Sequence, residues 1–161
     1  MLIETEVTID APPSKLWSIL TEFDAFPEWN PFLTRIKLTS GDIQTLDASQ
    51  DDNPQAALEV SLEPEGPSSR RIFTPAVVKW KKDTEFAWLG SVRLLGLSLF
   101  TGEHHFELRQ QGDGKTLFRH YESFGGLLCR PILYWIGDKT RRGFENMNQA
   151  LKQRAESVVV V

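Results

Sequence analysis

The chain has 161 residues, 40% of them hydrophobic and 25% charged, and a formal net charge of −4. A length of this order suits one domain with a core that needs no disulfide staples, and the acidic balance excludes the basic footprint of a nucleic-acid binder. The one cysteine, Cys129, excludes an internal disulfide and points to a reducing, cytoplasmic setting; no basic-then-apolar leader opens the chain, and no run approaches the roughly 18 apolar residues of a membrane helix.

Ile3, Thr5, Val7 and Ile9 alternate with Glu4, Glu6 and Thr8, the period of a strand with one wet face. Ala11-Pro12-Pro13-Ser14 then opens a helix near Pro13, because proline is tolerated in a first helical turn. Leu16, Ile19, Leu20 and Phe23 form its apolar stripe. The prolines of Phe26-Pro27-Glu28-Trp29-Asn30-Pro31-Phe32 end it and leave room for one more short turn. Residues 41–55, polar and acidic, read as a long surface loop, and Asp47 to Asp52 within it as a candidate lid. Strand patterns flank that stretch, at Ile36 and Leu38 before it and at Ala56, Leu58, Val60 and Leu62 after it. Residues 69–81 and 84–91 form a pair joined at Lys82-Asp83. Residues 100–110 and 115–124 form another, joined at Gly112-Asp113-Gly114. From Pro131 onward Ile132, Ile136, Phe144, Met147 and Leu151 recur at helical spacing, with Thr140 and Gly143 on the same side. The closing Val158 to Val161 run reads as a frayed or edge-packed tail. Strands in series followed by one long helix predict an α+β fold: a curved antiparallel sheet of about seven strands, two short helices between the first two strands, and a terminal helix covering the apolar face.

The last hairpin carries the chemistry. With a three-residue loop at Gly112-Asp113-Gly114, Phe106 falls opposite His120 and His104 opposite Glu122. A slip by one residue would turn one of the two apolar sets outward. Three inward polar side chains are costly in a sealed core, about 1–3 kcal/mol for each left unsatisfied, so they suit a wet or ligand-filled cavity. Three readings stay open for them. They anchor a ligand carbonyl or hydroxyl, they move protons as an acid/base pair, or they form a satisfied hydrogen bond that fixes the hairpin. His104 and His105 point to opposite faces of a strand and cannot chelate together. Beyond the bare set His104, His120 and Glu122 nothing in the spacing supports a metal, and no metal or cofactor is expected. Phe73, Trp88 and Phe106 on the sheet, with Phe144 and Met147 on the helix, are the candidate aromatic and apolar pocket wall, and Trp135 belongs to the same aromatic-rich set. Phosphate-loop and serine-elbow motifs are absent.

Residues 9–20 (IDAPPSKLWSIL), 23–32 (FDAFPEWNPF), 102–108 (GEHHFEL), 121–128 (YESFGGLL) and 144–151 (FENMNQAL) run in consistent order over almost the whole chain. Together they resemble the START-like superfamily, also called SRPBCC, and within it the polyketide cyclase/dehydrase and lipid-transport branch. The departure is at residues 41–55, which lack the second glycine expected before the third strand. The resemblance implies a helix-grip fold, one ligand-binding domain over residues 1–161, and a cavity between sheet and helix. A small apolar molecule of lipid, polyketide or isoprenoid type is the implied partner. Relatives divide among carriers, cyclase or dehydratase enzymes, and sensors. For this chain the expectations are a carrier, an enzyme using His104, His120 and Glu122, or a ligand-gated module for an unknown protein partner. The fold alone does not choose among them.

Overall fold

The computed structural model describes residues 1–49, 52, 54–63 and 69–157. The Val158–Val161 tail lies outside the described residues, as do Gln50, Asp51 and Asn53 of the 41–55 stretch. In chain order the elements are β1 (Leu2–Ile9), α1 (Pro13–Thr21), a 3-10 turn at Phe23–Ala25, α2 (Phe26–Trp29), β2 (Leu33–Ser40), α3 (Ile43–Ser49), β3 (Ala57–Leu62), β4 (Arg71–Phe73), β5 (Ala76–Lys81), β6 (Glu85–Leu94), β7 (Leu97–Gln110), β8 (Thr116–Gly125) and α4 (Cys129–Glu156). Antiparallel pairing gives the order β1-β8-β7-β6-β5-β3-β2, with the short β4 paired to β3. The sheet curls into a half-barrel, and α4 runs along its concave side. At 28 residues α4 is about 42 Å long. Pro131 sits in its first turn, where its missing N–H costs nothing. Among the described residues no helix is long and apolar enough to cross a membrane.

Three elements differ from the sequence expectation. The 41–55 stretch is not all loop. Residues Ile43–Ser49 form α3, because Asp42 accepts both the backbone N–H (2.9 Å) and the hydroxyl (2.7 Å) of Thr45 and so caps the helix start. Leu46 is buried, and Asp47 accepts the indole N–H groups of Trp17 (3.3 Å) and Trp80 (2.8 Å). That fixes Asp47 in the fold and removes it from the expected lid. The 69–81 strand is broken at Pro75, which has no N–H to add to a ladder, so β4 and β5 are separate. The β6–β7 hairpin is longer than expected. Its strands continue to Leu94 and Leu97 around a two-residue turn, Leu95-Gly96, with both φ angles positive (50° and 82°). Leucine stands there where asparagine or aspartate would announce such a turn.

The β7–β8 register is the one counted from the sequence. His104 faces Glu122 and Phe106 faces His120, with the Gln111 N–H bonded to the Lys115 carbonyl at 2.8 Å. The core has a solid part and a hollow part. The solid part lies under α1 and the C-terminal half of α4, where Leu16, Leu20, Trp80, Phe86, Phe106 and Phe144 are fully buried. The hollow lies under the N-terminal half of α4. Phe32 separates the two. Asn30 accepts the N–H groups of Phe32 (3.0 Å) and Leu33 (2.9 Å), which fixes the loop. A Cβ on Gly143 would sit 2.3 Å from the Phe32 ring, so only glycine lets that ring lie on α4.

Candidate functional site

The hollow is a cavity of about 700 Å³, within the size range of small-molecule sites. Its sheet wall carries Phe73, Val92, Phe100 and Phe124, and its helix wall carries Ile132 and Ile136. Among the described residues Glu122 is the one carboxyl on its lining, and Arg71 and Lys139 are its cations. Gly102 makes room for that carboxyl: a Cβ there would fall 2.2 Å from Glu122 Oε1.

Glu122 ends a chain of hydrogen bonds that begins on β1, and the direction of each bond follows from the one before. The Thr5 hydroxyl donates to the His120 carbonyl (3.2 Å), so its oxygen accepts from Asn148 Nδ2 (2.9 Å). This turns Asn148 Oδ1 toward His120 Nδ1 (2.9 Å), and that nitrogen carries the hydrogen. Burial holds His120 well below the usual imidazole range, so the ring is neutral and its Nε2 is an acceptor. The opposing Nε2 of His104, at 2.8 Å, is the donor. His104 is also neutral, since burial pushes it down to about 3. Its Nδ1 therefore accepts, and the Glu122 oxygen at 3.2 Å donates. With both imidazoles held neutral by burial, this order of bonds leaves the proton on Glu122, and burial acts on the carboxyl in the same direction, pushing it up to about 8. The Glu122 side chain remains 19% exposed, the opening being toward the cavity.

Aromatic rings close this pair off from water. His104 stacks on Trp88 with centroids 4.6 Å apart and planes 4° apart, and His120 stacks on Phe144 at 3.9 Å. Both histidines are shut away from water in the solid part of the core.

Of the residues expected at the pocket, Phe73 and Glu122 stand on the cavity wall. His104 and His120 lie one and two hydrogen bonds behind Glu122. Trp88, Phe106 and Phe144 pack around the two imidazoles, and Met147, on α4, is fully buried in the core. The physical reason is that the inward faces of β6, β7 and β8 are shared between the hollow and the solid core, and periodicity does not say where one becomes the other. His104, His120 and Glu122 run in line and do not converge on a point, so their arrangement is that of a relay and not of a metal site. His105, on the outer face, bonds Glu85 (2.8 Å) and Glu103 (3.0 Å) and stacks on Tyr121. Trp135 is exposed on α4 and does not join the aromatic wall.

Sequence reasoning missed Thr5, Asn148, Phe32 and Gly102 as parts of the site. Asn148 carried a signal, as a polar residue within the apolar stripe Phe144, Met147 and Leu151. Gly102 carried a weaker one, as a glycine inside a strand, which often marks a close approach.

Known proteins place this geometry in context. No curated protein sequence matches the chain. A START superfamily protein from Mycobacterium smegmatis is similar in fold, with a TM-score of 0.70, 19% sequence identity, and coverage of 96% of this chain and 97% of that one. The Zhui aromatase/cyclase from Streptomyces sp. R1128 is also similar in fold, with a TM-score of 0.68 at 8% identity, covering 100% of this chain and 99% of that one. A hypothetical protein from Helicobacter pylori gives a TM-score of 0.70 at 14% identity, covering 97% of this chain and 88% of that one. At such identities the likeness concerns the fold. The family model described as "Polyketide cyclase / dehydrase and lipid transport" matches residues 2–156, and the chain, a START-like helix-grip protein, belongs to that family.

Proposed function

We propose that the chain binds and carries a small, largely apolar, uncharged molecule of lipid, polyketide or isoprenoid type, held by one hydrogen bond to Glu122. The observation that supports this is a cavity with mostly apolar walls and, among the described residues, one carboxyl, whose oxygen lies 3.2 Å from His104 Nδ1 and, when protonated, donates to it. The second oxygen of that neutral carboxyl is an acceptor, which suits a ligand hydroxyl better than a ligand carboxylate. The lone buried Cys129 fits a reducing, cytoplasmic setting for such a carrier. Native mass spectrometry of the purified protein, followed by uptake from a panel of long-chain alcohols, fatty acids and aromatic polyketides, tests the reading. An added mass, with alcohols bound more tightly than acids of equal length, is expected. No uptake of any class would refute it.

A second, enzymatic reading has one observation in its favour. Burial keeps Glu122 protonated near neutral pH, and a carboxyl that turns this proton from His104 to the ligand is the general acid a cyclase or dehydratase requires. Glu122→Gln separates the two: a carrier keeps its ligand, whereas an enzyme keeps its ligand and loses turnover.

A further inference from the structure

Around the cavity lies a surface that the binding site does not explain. Leu95 is 93% exposed, Tyr134 83%, Trp135 76% and Leu127 74%, and Leu94 and Leu97 are exposed beside the turn. These residues belong to two neighbouring segments, the β6–β7 tip and the entry to α4. The Leu127 N–H bonds the Ser98 carbonyl (3.1 Å) and the Leu128 N–H bonds that of Leu99 (2.8 Å), which ties the segments into one rim. The same segments furnish Val92, Phe100, Ile132 and Ile136 to the cavity, so the rim and the cavity walls are continuous.

Folding does not account for this rim. Leu95 holds φ at 50°, a left-handed conformation that leucine adopts only at a cost, and its side chain packs on almost nothing that would offset it. The charge distribution is also uneven. In an acidic protein, residues 91–102 and 123–137 contain no aspartate or glutamate, and each contains one arginine, Arg93 and Arg130. Leucine side chains projecting from a turn, a Trp–Tyr pair (centroids 5.6 Å apart) and flanking arginines are the elements of an interfacial anchor in an anionic bilayer. A second copy fits less well, because the rim would meet itself with arginines and no carboxylate to pair them.

We propose that this rim docks on the surface of an anionic lipid bilayer, with Leu94, Leu95, Leu97, Leu127, Tyr134 and Trp135 entering the headgroup–acyl boundary, so that the ligand passes between membrane and cavity without crossing water. The ligand-passage part rests on the carrier reading; the docking does not. Flotation with vesicles of phosphatidylcholine alone, and of phosphatidylcholine and phosphatidylglycerol mixed two to one, tests it. The protein is expected to float with the mixed vesicles and much less with the neutral ones. Leu95→Asp suits the left-handed turn better than leucine and leaves the cavity untouched. It is expected to lower partitioning by about tenfold or more, as removal of one inserted leucine should, with the melting temperature and ligand uptake unchanged. Trp135→Ser is expected to act in the same direction. Absence of flotation on either vesicle, or flotation unaffected by both substitutions, would overturn the proposal. So would a dimer, seen by analytical ultracentrifugation, that Leu95→Asp dissolves, since the rim would then be covered by a second copy. Ligand uptake by a wild-type protein that floats with neither vesicle overturns the docking alone, and docking of the wild type without any ligand uptake overturns the carrier reading alone.

Discussion

Glu122→Gln isolates the relay from everything else that titrates. The glutamine N–H donates to His104 Nδ1 as the protonated acid does, so the chain from Thr5 to His104 is preserved. Only the titration is removed. In the wild type the carboxyl, ordinarily at 4.5, is pushed up to about 8. A raised acid stabilises the native state while both states hold the proton, below about pH 4.5. That contribution is lost as pH rises through about 8, because the unfolded chain releases its proton first. Each pH unit between the two values costs about 1.36 kcal/mol per proton. From pH 5 to pH 8 the wild type should therefore lose roughly 3 kcal/mol relative to Glu122→Gln. The depressed histidines act oppositely, their contribution being lost as pH falls below about 6.5. They are common to both proteins and cancel in the difference. Urea unfolding followed by tryptophan fluorescence at pH 5, 6.5 and 8 measures it. A wild-type-minus-variant difference that stays constant within about 0.5 kcal/mol across this range would refute a protonated Glu122 and the bond directions argued from it.

Other substitutions probe the supports of the site. Asp47→Ala leaves the indole N–H groups of Trp17 and Trp80 without their acceptor, and a loss of about 2–4 kcal/mol in thermal or urea unfolding is expected, while the conservative Asp47→Asn should lose less. Gly102→Ala places a methyl 2.2 Å from Glu122 Oε1 and should displace the carboxyl from His104, lowering ligand affinity in a fluorescence titration while costing about 1–2 kcal/mol of stability. Gly143→Ala drives a methyl into the Phe32 ring and should cost about 1–3 kcal/mol, the displaced ring reducing the volume open to ligand in the titration.

How far the sequence reaches is visible element by element. The strand alternation of β1, the proline-opened α1 and the helical spacing of α4 are local patterns, and they were legible because backbone geometry repeats with a period the side chains must follow. The His104–Glu122 pairing was legible too, since one loop of known length fixes the register of a hairpin. Helix α3 was hidden because its cap, Asp42 with Thr45, lies in a stretch whose polarity looks like loop, and because the partners of Asp47 are indoles 30 and 33 residues away. Alternation could say that Trp88, Phe106, His120 and Glu122 face inward, and only the tertiary structure could say which of them meets a cavity. That depends on where α1 and the second half of α4 press against the sheet and where α4 leaves a gap, and such a boundary is set by packing among distant segments. The charge state of Glu122 is decided in the same way. A carboxyl, two imidazoles, an amide and a hydroxyl become one directed chain only when β1, β7, β8 and α4 bring them within hydrogen-bonding reach, out of water.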